Sequence, residues 1–158
     1  MKNKIRALLL LLCATLSTGL TSCTDMNEEL IVGTWNVVSK TYTVTNHPID
    51  SLNRSEVEPV GADSPILFFF NKDKTGGIKS STTDSSPETF TYTLSGDILV
   101  ITFDNAKRTK SDDIVRLVIE TINEKDLRLS RTETNYYHEG RPDEQEFTAK
   151  LTLKMKKV

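Results

Sequence analysis

Residues 90–103 read Phe-Thr-Tyr-Thr-Leu-Ser-Gly-Asp-Ile-Leu-Val-Ile-Thr-Phe, and this stretch decides the fold class. Apolar side chains occupy every second position on both arms, namely Phe90, Tyr92 and Leu94 before the turn and Leu99, Ile101 and Phe103 after it. Such alternation is typical of a strand with one buried face, and the Ser-Gly-Asp segment between the arms favours a tight turn. The stretch therefore predicts an antiparallel hairpin.

The rest of the chain after residue 30 follows the same pattern. Six further segments have strand composition, and they are separated by turn-forming residues: 35–44, 66–70, 78–82, 114–122, 127–134 and 147–156. With the two arms of the hairpin they make eight strands. Residues 71–74 predict one tight turn, and Gly76 with Gly77 predicts another. Eight consecutive antiparallel strands form either an up-and-down barrel or a sandwich, and a closed barrel has no exposed edges.

The first of these strands opens with Gly33-Thr34-Trp35, which resembles the Gly-x-Trp opening of the lipocalin and calycin families. Residues 68–76, 92–99 and 122–129 further resemble small lipocalin-like lipoproteins of the Bacteroidetes. The resemblance implies an eight-stranded antiparallel up-and-down barrel over residues 31–158. Lipocalins usually pack a late arginine against that tryptophan, whereas the last strand here offers Lys150, Lys154 and Lys156.

The N-terminal residues predict a cleaved signal peptide over residues 1–22. Lys2, Lys4 and Arg6 precede a short apolar core that is too short to span a bilayer. Leu20-Thr21-Ser22-Cys23 resembles the bacterial lipoprotein processing site, which implies that Cys23 carries acyl chains such as palmitate. A plain secretory peptide cut at a nearby small residue is the alternative.

This leader determines the expected location of the protein. Two or three acyl chains on Cys23 would hold it stably in a membrane, so we expect a lipid-anchored protein of the bacterial outer membrane, facing either the periplasm or the cell surface. Residues 23–30 then form the acylated cysteine and an extended acidic tether, and residues 31–158 form the domain. Acidic residues at this position also resemble the export tag of Bacteroidetes surface lipoproteins.

Composition excludes some partners. Removal of residues 1–22 takes Lys2, Lys4 and Arg6 from the 20 Lys and Arg, leaving 17 against 22 Asp and Glu. An acidic chain lacks the basic face that nucleic-acid binding requires, so no nucleic-acid partner is expected. The remaining length suits one domain with its own hydrophobic core.

Residues 46–65 form the longest irregular connection. Loops of this length in compact domains are commonly functional, and the lipocalin resemblance implies a lid over the barrel mouth. Asp50 or Ser51 is expected to cap a short helix through Leu52 to Val57. The triplet Asp50-Ser51-Leu52 also resembles an O-glycosylation site of Bacteroidetes envelope proteins.

The expected ligand is a small apolar or amphipathic molecule, because a barrel of eight strands is just wide enough to hold one. Bulky inward residues predict a filled lower half, with a pocket near the mouth. The inward set is predicted as Trp35, Val37, Phe68, Phe70, Phe90, Tyr92, Leu94, Leu99, Ile101, Phe103, Leu127, Leu129, Phe147, Leu151 and Leu153. The candidate ligand-binding residues are Trp35, Tyr42, Phe68, Phe70, Tyr92, Phe103 and Tyr136, with Tyr137 near them.

A second apolar row points outward. Ile98 and Val100 lie opposite the inward set, and residues 114–122 are apolar on both faces. In a sheet with one face on the core and the other in solvent, the outer side chains are normally polar. We therefore expect either the lid segment or another protein to cover this apolar row. The alternative function is therefore a protein-interaction module that docks an envelope partner, or a second copy, through this face.

Catalytic and metal-binding patterns are not evident. His47 and His138 both fall in predicted loops without the spaced ligands of a zinc site, and each is interpreted as solvated. The acidic residues 139–146 lack calcium-loop spacing and are interpreted as a solvated loop. We therefore expect no enzymatic activity, no metal and no cofactor.

Overall fold

The computed structural model describes residues 24–80, 86–104 and 113–158. One helix, α1 (Thr24–Ile31), precedes nine strands, with a short 3-10 helix (Asp50–Leu52) between the first two. The strands are β1 (Gly33–Thr45), β2 (Ser55–Pro59), β3 (Leu67–Phe70), β4 (Thr75–Lys79), β5 (Glu88–Ser95), β6 (Ile98–Phe103), β7 (Ile114–Ile122), β8 (Asp126–Tyr137) and β9 (Gln145–Lys157). The predicted leader and Cys23 lie outside the described residues.

Eight of the strands form a closed antiparallel barrel. Strands β3 to β9 follow β1 in sequence order, and β9 pairs back to β1 along almost the whole length of both strands, from Trp35 opposite Lys157 to Thr45 opposite Thr148. This last pairing distinguishes a barrel from a sandwich, because it leaves neither β1 nor β9 as an edge. The predicted eight-stranded up-and-down barrel is confirmed.

Strand β2 is an extra strand that the sequence pattern did not predict. It pairs with residues 39–43 of β1, on the edge that β3 occupies at residues 33–36. The two strands therefore follow each other along one edge of β1, and on its other edge the pairing with β9 shifts register between Val37 and Ser39, as at a β-bulge. The predicted helix through Val57 is wrong beyond Leu52, and Ile49, at the N-cap, makes no side-chain capping bond. Within the predicted lid, residues 46–65, the five residues of β2 form a strand beside the mouth.

Gly76 and Gly77 lie inside β4, so the prediction of a turn there is wrong. The chain reverses before them, where the Lys74 amide donates to the carbonyl oxygen of Asn71 at 3.1 Å. A Cβ atom on Gly76 would lie 2.5 Å from the Phe90 ring, and one on Gly77 would lie 2.3 Å from the Phe69 ring. Glycine is needed because aromatic rings cover the backbone on both faces.

The core fills the lower part of the barrel as predicted. Twelve of the fifteen predicted inward residues are buried, whereas Phe147, Leu151 and Leu153 are only partly buried. Further buried side chains come from Ile31, Leu117, Ile119 and Met155. The three partly buried exceptions all lie on β9, which shows that packing becomes looser along that strand toward the mouth.

Residues 24–31 form helix α1 rather than the predicted extended tether. The helix contacts β5 and β7, and its last residue, Ile31, is fully buried in the core. It thus covers one end of the barrel, here termed the closed end, where turns 71–74, 96–97 and 123–125 lie. Burial of Ile31 favours the helix because its side chain completes the core. Within the described part of the chain, no helix has the length and apolar character that crossing a bilayer requires.

Candidate functional site

Five of the seven predicted ligand-binding residues are packed in the core. Each of the five is at most 8% exposed, and they are Trp35, Phe68, Phe70, Tyr92 and Phe103. The ring of Phe70 meets that of Tyr92 edge-on, with centroids 5.2 Å apart at 89°. Edge-to-face rings at this distance are in favourable contact. These aromatic side chains fill the lower barrel and do not line an open pocket there.

A pocket of about 250 Å³ lies at the opposite end of the barrel, here termed the mouth pocket. It forms because β1, β8 and β9 extend beyond the packed core, while β7 pairs with β8 only up to Ser130. Along this extension, inward-facing side chains alternate with outward-facing ones. The alternation continues from Leu129 and Met155, which face into the core. The pocket is lined by Tyr42, Thr43, Val44, Arg131, Glu133, Ala149, Lys150 and Leu151.

The register of the strands explains which side chains face the pocket. Tyr42 lies directly opposite Leu151, which in turn lies opposite Arg131. Val44, Ala149 and Glu133 form the next row in the same way. Directly opposed residues share one face of a sheet, so both rows point inward. The pocket therefore has an apolar wall on β1 and β9 and a charged wall on β8.

The charged wall consists of an ion pair. The Arg131 Nη2 and Glu133 Oε1 atoms are 2.5 Å apart, and both side chains are nearly half exposed. A second pair, Lys40 with Glu58 at 3.7 Å, joins β1 to β2 on the same face. Exposed pairs of this kind contribute little to stability, at about 0–1 kcal/mol. They do place both signs of charge beside an apolar surface.

The two remaining predicted tyrosines lie on opposite faces of the sheet. Tyr42 lines the mouth pocket with 45% of its surface exposed. Tyr136 is 46% exposed, but it pairs with Glu146 at a position between the inward-facing Asn135 and Tyr137. It therefore points away from the pocket. The structure brings Tyr42 to the pocket, keeps five aromatics in the core and leaves Tyr136 outside.

His47 closes the rim of the mouth, and its interpretation as a solvated loop residue is wrong. Its side chain is buried against Phe147 and Tyr137, with ring centroids 4.6 and 5.4 Å away. Its Nδ1 accepts a 3.0 Å hydrogen bond from the Ile49 amide. The Asn53 side chain makes two hydrogen bonds to the His47 backbone. Its Oδ1 accepts from the His47 amide at 2.7 Å, and its Nδ2 donates to the His47 carbonyl oxygen at 2.8 Å. A histidine held by so many contacts has a structural role here.

His138 occupies the neighbouring turn, as the sequence predicted. Its Nδ1 lies 2.6 Å from Oδ2 of Asp143, and its ring stacks on Tyr137 at 3.9 Å. This hydrogen bond holds the pKa of Asp143 below its usual value, and burial opposes it weakly. Within residues 24–80, 86–104 and 113–158, no group of three or more His, Cys, Asp or Glu side chains is arranged to hold a metal ion.

Two polar groups at the closed end were not recognised from the sequence. The Tyr92 hydroxyl donates a 2.8 Å hydrogen bond to the carbonyl of Asn71, and burial raises the pKa of this phenol, with further contributions from the nearby charges of Glu28 and Asp73. Lys157 places its Nζ 5.0 Å from the centre of the Trp35 ring. Lys157, and none of the three lysines considered before, thus provides the cation on that tryptophan. No local pattern singles out Lys157, because its position opposite Trp35 follows from the pairing of β9 with β1.

Similarity to known proteins identifies the family of this chain. A family model described as a lipocalin-like domain matches residues 31–129. A lipocalin-like protein from Bacteroides uniformis is 16% identical, with 81% of this chain and 98% of that chain covered at a TM-score of 0.47. An uncharacterized protein from Bacteroides eggerthii is 18% identical, with 81% and 99% covered at a TM-score of 0.48. No curated protein matches the chain. Because the family model covers more than half of the 158 residues, this chain belongs to the family of proteins with a lipocalin-like domain.

Proposed function

We propose that this protein is a non-enzymatic, lipid-anchored envelope protein that binds a small apolar or amphipathic molecule in the mouth pocket. The observation that carries the proposal is the position of that pocket, where β1, β8 and β9 rise above a filled core and leave about 250 Å³ of space. Binding sites are typically concave, mostly apolar and equipped with a few polar groups. The pocket has these properties.

The size of the pocket limits the ligand. Sites for drug-sized molecules occupy roughly 300–1,000 Å³, so a pocket of about 250 Å³ suits a smaller molecule or one end of a longer chain. The packed aromatic rings below it leave no room for a ligand to pass down the barrel axis. We therefore expect the ligand to be bound at the mouth, with part of it in solvent.

The chemistry of the walls favours an amphipathic ligand. Leu151, Ala149 and Val44 provide apolar contact, and the exposed ring of Tyr42 provides a flat surface beside them. The Arg131 guanidinium is exposed enough to exchange part of its contact with Glu133 for a ligand carboxylate or sulfonate. Arginine can bind two oxygen atoms of such a group with two parallel hydrogen bonds. An apolar body with one anionic group therefore fits best.

Binding of anilinonaphthalene sulfonate, followed by its fluorescence, tests the proposal with a matched pair of variants. Tyr42→Ala is expected to weaken binding roughly tenfold, which corresponds to about 1.4 kcal/mol. Tyr136→Ala removes an equally exposed tyrosine from the other face and should leave binding unchanged. Equal loss in both variants would refute the mouth pocket as the site. If only Tyr42→Ala weakens binding, native mass spectrometry of protein purified from its own envelope is the experiment that identifies the natural ligand.

The membrane anchor is a separate part of the proposal. The triplet before Cys23 supports acylation of that residue, and acylation supports a place in the bacterial outer membrane. The experiment is Cys23→Ala followed by membrane fractionation. The variant should move to the soluble fraction, whereas a variant that remains with the membranes would contradict the anchor.

A second candidate function is docking of an envelope protein through the outer face of β6 and β7. Ile98 and Val118 are directly opposed on this face, and each is 38% exposed. The segment predicted as a lid pairs with β1 instead, so its strand does not cover them. Ile98→Asp should remove any protein that co-purifies with the wild type, while Thr134→Asp, at an exposed position of β8 that pairs only with β9, should retain it. Retention by both variants would exclude this face.

A further inference from the structure

Helix α1 is attached to turns at the closed end of the barrel. The Asn27 side-chain amide donates a 3.2 Å hydrogen bond to the carbonyl of Gly96, which lies in the turn between β5 and β6. The Glu28 carboxylate is 3.0 Å from Nζ of Lys74, which lies in the turn between β3 and β4. Two separate turns therefore hold the middle of the helix.

The last turn of the helix is bound still more firmly. The Trp35 indole nitrogen donates a 2.7 Å hydrogen bond to the carbonyl of Ile31, and both side chains are fully buried. Nζ of Lys157, at the end of β9, donates to the carbonyl of Leu30 at 3.2 Å. The helix is thus part of the folded domain. Residues 27–33 therefore add nothing to the distance that can separate Cys23 from the barrel.

The distance from Cys23 to this fixed helix is short. Asn27 is four positions along the chain from Cys23, so even a fully extended chain between them would span at most about 14 Å. The mouth is much farther away, because β1 contains 13 residues. At about 3.3 Å per residue and a barrel tilt of 35–45°, this strand rises roughly 30 Å. A membrane attached at Cys23 therefore reaches the closed end and not the mouth.

We propose that the closed end of the barrel rests on the membrane surface and that the mouth pocket points away from it. This inference rests on acylation of Cys23 under the proposed function. The partner of the closed end is a lipid surface, and the short attachment determines the orientation. The ligand then reaches the pocket from the aqueous side, without passing through the lipid.

The surface chemistry of the closed end is compatible with lipid headgroups. Met26 is 63% exposed on the helix, and Ile98 begins β6 directly after the turn to which Asn27 is bound. Lys72 and Lys125 are exposed in two of the turns, but acidic residues accompany them. Because the charges are mixed, electrostatic attraction alone would not orient the domain. Attachment within about 14 Å provides the orientation.

Depth-dependent fluorescence quenching tests the orientation in acylated protein purified from membranes and reconstituted in phosphatidylethanolamine and phosphatidylglycerol vesicles. Glu124→Cys places one thiol in an exposed turn of the closed end, and Glu139→Cys places one in an exposed turn at the mouth. Each introduced thiol carries the same dye, since the sulfur of Cys23 is occupied by lipid. We expect spin-labelled headgroups to quench the dye at residue 124 several-fold more strongly than the dye at residue 139.

The outcomes separate this inference from the anchor itself. Intact mass spectrometry reports acylation, and a protein without acyl chains would overturn both the anchor and the orientation. Acylated protein with equal quenching at the two positions would overturn the orientation alone. A flexible Gly-Ser insert of about ten residues between Cys23 and Thr24, with a reach of roughly 18 Å, should abolish the difference. A difference that survives the insert would contradict orientation by short attachment.

Discussion

The indole nitrogen of Trp35 lies 2.7 Å from the carbonyl oxygen of Ile31, to which it donates a buried hydrogen bond. This carbonyl ends helix α1, where the backbone has no intrahelical donor left. Lys157 lies over the same tryptophan ring and donates to the preceding carbonyl, that of Leu30. One tryptophan therefore connects the helix, the first strand and the last strand. The closed end depends on it.

Trp35→Phe should destabilise the protein by about 1–3 kcal/mol, because it leaves the buried Ile31 carbonyl without a donor. Trp35 is the only tryptophan, so urea unfolding is followed by circular dichroism. The same variant should increase hydrogen exchange in residues 24–31. An unchanged unfolding midpoint would contradict this role.

Gly76→Ala should cost about 2 kcal/mol or more, because the new Cβ would lie 2.4 Å from the Phe69 carbonyl and 2.5 Å from the Phe90 ring. Gly61→Ala is the matched control, since no atom lies within 4 Å of its Cβ position. Thermal unfolding of both variants measures the difference. Equal melting temperatures would show that β4 has more space than the structure indicates.

His47→Ala should destabilise the rim by about 2 kcal/mol, because the Ile49 amide loses its acceptor and Phe147 loses a packed ring. Hydrogen exchange in residues 46–53 should rise. His138→Ala serves as the control, because its side chain is one-third exposed and bonded to an exposed carboxylate. If both variants behave alike, the rim does not depend on His47.

Stability should fall in acid through Glu120, whose carboxylate lies 2.5 Å from Nζ of Lys150. Lys150 is the main cause of the lowered pKa of Glu120, and burial opposes it. A lowered folded pKa stabilises the protein above the unfolded pKa, and this contribution is lost as the pH falls through the folded value. For such a partly exposed pair it is about 0.5 kcal/mol.

Glu120→Gln checks this assignment by urea unfolding at neutral pH and near pH 3. The variant should be less stable than the wild type at neutral pH, and the difference should shrink in acid. Glu124→Gln, which changes an exposed turn carboxylate, is the control and should change neither value. A constant difference between wild type and Glu120→Gln at both pH values would contradict the assignment.

The sequence alone determined the strands and most of the core. Alternation with period two identified the hairpin of residues 90–103 and the inward faces of the other barrel strands, because neighbouring side chains on a strand point to opposite sides. It could not identify β2, whose five residues are all exposed and show no apolar alternation. Nor could the alternation show that Gly76 and Gly77 are strand residues and not turn residues. The rings of Phe90 and Phe69, which require glycine at these positions, lie on the two neighbouring strands.

The tertiary structure alone decided which aromatics are core and which can meet a ligand. Tyr42 and Tyr136 are chemically identical and equally exposed, yet strand register places only Tyr42 at the mouth pocket. Register depends on β9 pairing with β1 more than a hundred residues away, and a local pattern contains no information about such pairing. The same closure creates the buried site for Ile31 that makes residues 24–31 a helix.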